Sequence, residues 1–265
     1  MEARYPRRIV CLTEETTEAL YLLGEQARIV GISGFTVRPP EARRDKPKVS
    51  AFTSAKIDKI LALEPDLVLG FSDLQADIAA TLIRRGVNVA VFNQRSVEEI
   101  LTMVLTLAGM VGAEARGRRL VEGFIERIER VREAANALPR RPRVYFEEWD
   151  EPMISAIGWV SELIGIAGGT DCFAELGREP LGRDRIIADP ARVIAADPEL
   201  IVGSWCGKRF RPEKVCARPG WENVTAVRNG AVHEIKSPDI LQPGPAALGD
   251  GLERLAALVR SVAHD

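Results

Sequence analysis

"ILALEPDLVLG", residues 60–70, and "VIAADPELIVG", residues 193–203, are nearly the same eleven residues written twice. Pro198 lies 133 positions after Pro65 (198 − 65), and the same offset pairs Ala62 with Ala195, Leu67 with Leu200 and Gly70 with Gly203. Each copy reads as the end of a helix, a proline that stops it, and a buried strand closed by glycine. A duplicated helix–proline–strand unit predicts two halves built on one plan.

Around the first copy the plan extends in both directions. "RRIVCL" is a short β-branched run after a proline and reads as a buried strand. "TEETTEALYLLG" follows as a helix capped by Thr13, with Ala19, Leu20, Leu22 and Leu23 on its buried face and Gly24 at its end. "RIVGIS" is the next strand, and a Pro-rich loop, "GFTVRPPEARRDKPKVSAF", leads to a helix that Ser54 caps and Pro65 ends. "DLVLGF", "LQADIAATLIRRG" and "VNVAVFN" then give strand, helix and strand. The second half repeats this with "RVYFEE", "GWVSELIGIAGG", the second copy, "AVHEIK" and a closing helix in "GPAALGDGLERLAALVRSVA". Strand–helix alternation predicts mostly parallel sheets with helices on both faces. Between the halves, Leu120, Phe124, Ile128 and Val131 fall at helical spacing in a charged segment. About 25 residues at ~1.5 Å each make a rod near 40 Å, long enough to join two lobes. The expected fold is therefore α/β: two small Rossmann-like lobes, residues 1–112 and 139–265, joined by one long α-helix over 113–138, with a ligand cleft between them.

The totals exclude several classes. The chain has 265 residues, 46% hydrophobic and 28% charged, and 36 Lys and Arg balance 38 Asp and Glu to a net charge of −2. No global field draws nucleic acid or an anionic membrane. No apolar run reaches a membrane span, and no signal-peptide core precedes the first strand. Read as written, the chain is expected in the cytoplasm, with the periplasm as the alternative where an export segment has been removed or the start is misassigned. Cys11, Cys172, Cys206 and Cys216 follow no CxxC spacing and read as free thiols.

In open α/β sheets, ligands bind beyond the carboxyl ends of the strands. Those ends carry Phe71 and Ser72 in the first copy, Trp205 and Arg209 after the second, and Trp149 within "FEEWDE". Nearby loops add Phe35, Phe52, Asp239 and Gln242. Aromatics make up only 6% of the chain, so rings gathered at strand ends suit a large planar ligand. These nine residues are the candidate ligand-binding set. For Phe71 a ring plugging the base of the lobe and a ring lining the ligand are equal readings.

At these residues the chain resembles a class III substrate-binding protein of ABC importers, on the branch that binds cobalamin and iron chelates. The carriers are "TEALYLLG", "VSAFTSAKIDKILALEPDLVLG", the central helix, "ELIGIAGG" and "RPGWENVTAVRNGAVHEI", which together span nearly the whole chain. The resemblance implies a monomeric, non-enzymatic binding protein with no intrinsic cofactor and a corrinoid or metal chelate as ligand. It places Phe52 and Phe71 where tryptophans stack on a corrin ring, Phe35 near a tyrosine position and Asp239 near polar contacts to the corrin side chains. It also implies an ABC permease as partner, docked through one acid on each lobe. Asp58 fits the first, whereas Ala191, with Asp189 close by, stands at the second.

Other chemistry finds little support. His233 and His264 are the only histidines, so a three-His metal site cannot be built. Cys206 and His233 remain the candidates to ligate a metal centre, and no protein-held metal site is expected. No GxxxxGK[ST] loop, dinucleotide fingerprint or nucleophile elbow is present. The alternatives are a ferric siderophore or haem binder, favoured by Lys208 and Arg209, and a cytoplasmic chelatase or corrinoid-processing enzyme using His233 or the acids of "EEWDE" as general base. The second reading of those acids is a solvated turn.

Overall fold

The computed structural model describes residues 4–264, and the chain divides into two compact units. The first runs to Gln94 and adds Glu98–Gly123; the second is Arg95–Val97 with the chain from Phe124 onward. The first unit contains β1 (Ile9–Cys11), α1 (Glu14–Leu22), β2 (Ile29–Ser33), α2 (Pro40–Asp45), β3 (Lys48–Ser50), α3 (Ile57–Ala62), β4 (Leu67–Phe71), α4 (Ala76–Arg84) and β5 (Val89–Phe92). After β5 come α5 (Val97–Met110) and α6 (Glu114–Asn136), a continuous helix of 23 residues that passes from the first unit to the second at Gly123.

The first sheet is parallel throughout, in the order β3-β2-β1-β4-β5. From β1 the chain moves to one side through β2 and β3, then returns to β4 on the other side. That reversal puts a topological switch point at the carboxyl ends of β1 and β4, where connections diverge and open space for a ligand. Successive residues of the central strands face opposite layers. Ile9, Cys11, Leu67 and Leu69 pack with Leu20, Leu23, Val104 and Leu107 of α1 and α5. Val10, Leu12 and Val68 pack with Ile60, Ile78 and Leu82 of α3 and α4. A strand buried on both faces carries no polar alternation, which is why these runs are uniformly apolar.

The second unit contains β6 (Arg143–Asp150), β7 (Met153–Ser155), α7 (Gly158–Ile166), β8 (Thr170–Asp171), α8 (Ala191–Ala196), β9 (Leu200–Gly203), α9 (Pro212–Cys216), α10 (Thr225–Arg228), β10 (Val232–Glu234), α11 (Ser237–Ile240) and α12 (Leu252–His264). Its sheet runs β10-β9-β6-β7. One edge of β6 is shared: β8 pairs in parallel with Arg143 and Val144, and β7 pairs antiparallel with Glu147–Asp150. Among the described residues no helix is long and apolar enough to cross a membrane.

The repeated eleven residues hold equivalent places. Leu67 lies beside Ile9 of the first strand, and Leu200 lies beside Val144 of its counterpart. The acid after each proline accepts the backbone N–H that opens the partner strand: Asp66 from Arg8 at 2.9 Å, Glu199 from Arg143 at 2.9 Å. The arginine at the start of each strand segment donates from Nε to carbonyls at the end of the helix before the repeated proline, Arg8 to Leu63 at 2.9 Å and Arg143 to Ala196 at 3.2 Å. The residue before each proline, Glu64 or Asp197, adopts positive φ. A carbonyl left without a helical partner is satisfied by a side chain. The repeat is thus a clip that ties a helix end to a neighbouring strand.

Two capping expectations are corrected. Thr13 occupies the position before α1 but makes no capping bond to the helix; its Oγ1 donates to Glu15 Oε1 at 2.5 Å. Ser54 lies outside α3, because the chain first folds back on β3 through Ala51 N–H to Ser54 O at 2.7 Å and Lys56 N–H to Val49 O at 2.8 Å.

Candidate functional site

At the carboxyl end of β4, one side chain organises two backbones. Gln75 is fully buried. Its Oε1 accepts the Phe71 N–H at 2.9 Å, and its Nε2 donates to the Phe52 carbonyl at 2.8 Å. A Cβ on Gly70 would sit 2.9 Å from that Oε1, so glycine leaves the room the amide needs. Ser72 turns the chain with φ 62 and accepts the Leu74 N–H at 3.3 Å on its Oγ. The two phenylalanines predicted from sequence are therefore brought to one corner, with Phe71 buried and Phe52 partly covered. Phe35 is 53% exposed, an open ring in the loop after β2.

Beside this corner, at the end of β1, the first turn of α1 buries acids that sequence reasoning did not single out. Burial pushes the Glu14 carboxyl up to about 8, with the Val37 N–H and Arg43 acting against the shift and Glu15 adding to it. Burial also pushes Glu15 to about 7, opposed by the Thr13 hydroxyl. Glu18 pairs with Arg38 at 2.9 Å. The signal was present as three acids in "TEETTE", but an amphipathic reading assigns such acids to the helix N-terminus and to solvent.

In the second unit Glu147, Glu148 and Asp150 of "EEWDE" lie in β6, whereas Glu151 falls in the exposed turn that follows it. Glu147 is fully buried and accepts from Tyr145 Oη at 2.8 Å, from Trp205 Nε1 at 3.0 Å, and from both Arg218 amino groups at 2.5 and 2.9 Å. Glu148 pairs with the buried Arg185 at 2.6 Å. Asp150 pairs with Lys208, whose ammonium lies 4.2 Å from the Trp149 ring centroid and 4.9 Å from that of Trp205. Trp205, expected to present an open face, is only 3% exposed, because Lys208 covers it and Phe210 meets it edge-on at 4.9 Å. That ring contact needs Gly203: a Cβ there would lie 1.8 Å from Phe210 Cε2. Trp149 is partly exposed, its Nε1 donating to the Glu151 carbonyl at 3.0 Å.

The remaining candidates are spread through the same unit. Asp239, on α11, is buried and accepts from Arg254 at 2.8 Å; Gln242 is partly exposed, and Arg209 is exposed. In the first unit Asp58 projects from the exposed face of α3. Asp189, near the neutral Ala191, is exposed and accepts the Ala191 N–H at 2.9 Å. His233 is partly buried, which lowers its pKa. Among the described residues no cluster of three or more His, Cys, Asp or Glu could hold a metal ion.

A cavity of about 500 Å³ opens in the second unit against the first turn of α7, lined by Arg95, Ser96, Ser161, Glu162 and Arg178. Gly158 admits it: a Cβ there would lie 2.5 Å from the Arg95 carbonyl. Val97 N–H donates to Glu162 at 2.9 Å and holds this wall in place. Nothing in the spacing of these residues marks them, since they come from three separate segments.

The family described as periplasmic binding protein matches residues 9–238. An uncharacterised ABC transporter substrate-binding lipoprotein of Bacillus subtilis is 25% identical over 95% of this chain and 79% of its own length. A vitamin B12-binding protein of Vibrio parahaemolyticus is 25% identical over 93% of this chain and 87% of its own. Among solved structures, a periplasmic heme-binding protein from Roseiflexus superposes with a TM-score of 0.83 at 24% identity, covering 97% of this chain and 99% of that one.

Proposed function

The chain belongs to the periplasmic binding protein family, and from that premise we propose that it is a non-enzymatic binding protein for a corrinoid or a related metal chelate. The observation that carries this is the Gln75 clamp, which holds the Phe52 and Phe71 segments together at the switch point of the first sheet. Flat rings fixed at the carboxyl ends of parallel strands suit stacking on a macrocycle. Relatives named as vitamin B12-binding proteins support the corrinoid reading. Phe35 and Ser72 supply further stacking and polar contacts from the first unit in this reading, and Trp149, Arg209, Asp239 and Gln242 are the second unit's candidates. The enzyme alternative lapses: the family consists of binding proteins, and Glu148, one of its candidate bases, is tied to Arg185.

Purified protein titrated with cobalamin, cobinamide, haem and a ferric hydroxamate tests the reading. A corrinoid that co-elutes on gel filtration with its visible spectrum is the expected result. Preference for haem or the ferric hydroxamate shifts the ligand within the chelate class, and failure to bind any of the four rejects it.

The partner in this reading is an ABC permease, since a relative is named as an ABC transporter substrate-binding lipoprotein. Asp58 supplies one acidic contact from α3, and the exposed Asp189 stands near the neutral Ala191. Transporter-stimulated ATP hydrolysis that falls in Asp58→Ala with ligand binding intact supports that docking, and unchanged stimulation removes Asp58 from it.

A further inference from the structure

In the second unit, Lys208 places its ammonium against the Trp149 ring at 4.2 Å and the Trp205 ring at 4.9 Å, and pairs it with Asp150. Two indole faces and a carboxylate around one ammonium form the arrangement that recognises organic cations. The neighbouring Glu147 is already neutralised by Arg218, so Asp150 is the carboxylate that faces the ammonium. The three cage residues lie on or next to the sheet: Trp149 and Asp150 close β6, and Trp205 follows Ser204 after β9. Lys208 instead belongs to an exposed stretch, Cys206–Arg209, with Gly207 in the left-handed region at φ 76. A fixed cage is therefore filled by a group on a surface loop.

We propose that Trp149, Trp205 and Asp150 form a binding site for an alkylammonium or quaternary ammonium group, and that Lys208 is its resting occupant. Asp150 has a side chain only 4% exposed, and when Lys208 withdraws this carboxylate loses the ammonium that the two indole rings also contact. A buried charge without a partner is costly, and the cation that replaces Lys208 removes that cost. Because Lys208 competes intramolecularly, at a high effective concentration, an external cation binds far more weakly to the intact chain than to one without the lysine. The site stands on these contacts alone and does not depend on the chelate reading.

Tetramethylammonium chloride titrated into the protein, followed by tryptophan fluorescence and calorimetry with sodium chloride at matched ionic strength as reference, tests the proposal. Lys208→Ala is expected to respond saturably, with a half-saturation concentration at least tenfold below that of the unmodified protein. Lys208→Gln, which keeps part of the stem, is expected to behave alike. Adding Asp150→Asn to Lys208→Ala should abolish the response. No saturable response in either lysine variant, equal responses to sodium, or equal half-saturation with and without Lys208 would each overturn the assignment.

Discussion

Arg143 donates from Nε to the Asp197 carbonyl at 2.8 Å, and Arg8 makes the matching contact to Glu64 at 3.1 Å in the other half. Arg143 opens β6 and Arg8 immediately precedes β1, and each carbonyl belongs to the positive-φ residue before the repeated proline. The clip joins sequence positions more than fifty residues apart, so it constrains which helix end meets which strand.

Breaking the clip should cost stability in each half separately. Arg8→Ala and Arg143→Ala are each expected to lower unfolding free energy by about 1 kcal/mol, the usual net value of exposed hydrogen bonds of this kind. Urea denaturation checks this, and loss in one half with none in the other would show that the two copies do not carry equal roles.

Gln75 should matter to binding although its side chain is fully buried and bonds only to backbone. Gln75→Ala frees the Phe71 N–H and the Phe52 carbonyl together, and buried polar groups left unmade cost roughly 1–3 kcal/mol. A corresponding loss of about tenfold in chelate affinity, with the circular dichroism spectrum retained, is the expected outcome.

Glu147 is a structural charge. Its removal in Glu147→Ala strands Arg218, the Tyr145 hydroxyl and the Trp205 N–H in the interior. Breaking a buried pair in this way costs about 3–5 kcal/mol. Chemical denaturation should therefore show a large loss, and a variant as stable as the parent would refute the network's importance.

The acids of α1 predict that stability falls as pH rises. Glu14 and Glu15 hold protons in the folded chain up to about 8 and about 7, above the ordinary 4.5. Between these values the folded state binds more protons than the unfolded one, so raising the pH favours unfolding, by up to about 1.4 kcal/mol per pH unit for each carboxyl. Their contribution is complete below pH 4.5 and lost by about pH 8. Glu14→Gln/Glu15→Gln cannot ionise, so its stability advantage over the parent should grow from pH 5 to pH 8 in urea denaturation. A constant difference over that range would show that these carboxyls titrate normally.

Candidate residues could be picked out along the sequence, but their orientation could not. Phe71 and Trp205 were identifiable because a strand's carboxyl end can be found from its apolar run and closing glycine, whereas Phe52 came from a loop and Trp149 from the acidic end of "RVYFEEWD". Which rings stand open is a matter of neighbours: Lys208 and Phe210 cover Trp205, and neither contact follows from spacing. Gln75 was missed because a polar residue in a helix start reads as solvated until the backbones it bridges are brought together. The Arg95–Arg178 cavity was missed for the same reason, its walls coming from distant segments.

By itself the sequence determined the α/β class, the duplicated unit and the central helix, because these rest on local periodicity, proline and glycine, whose effects act within a few residues. The tertiary structure alone decided the roles of the charged residues. Glu147 against Arg218, Lys208 against two indoles and the raised carboxyls of Glu14 and Glu15 each depend on burial and on partners brought together by the fold, and a charge has no fixed energy until its surroundings are set.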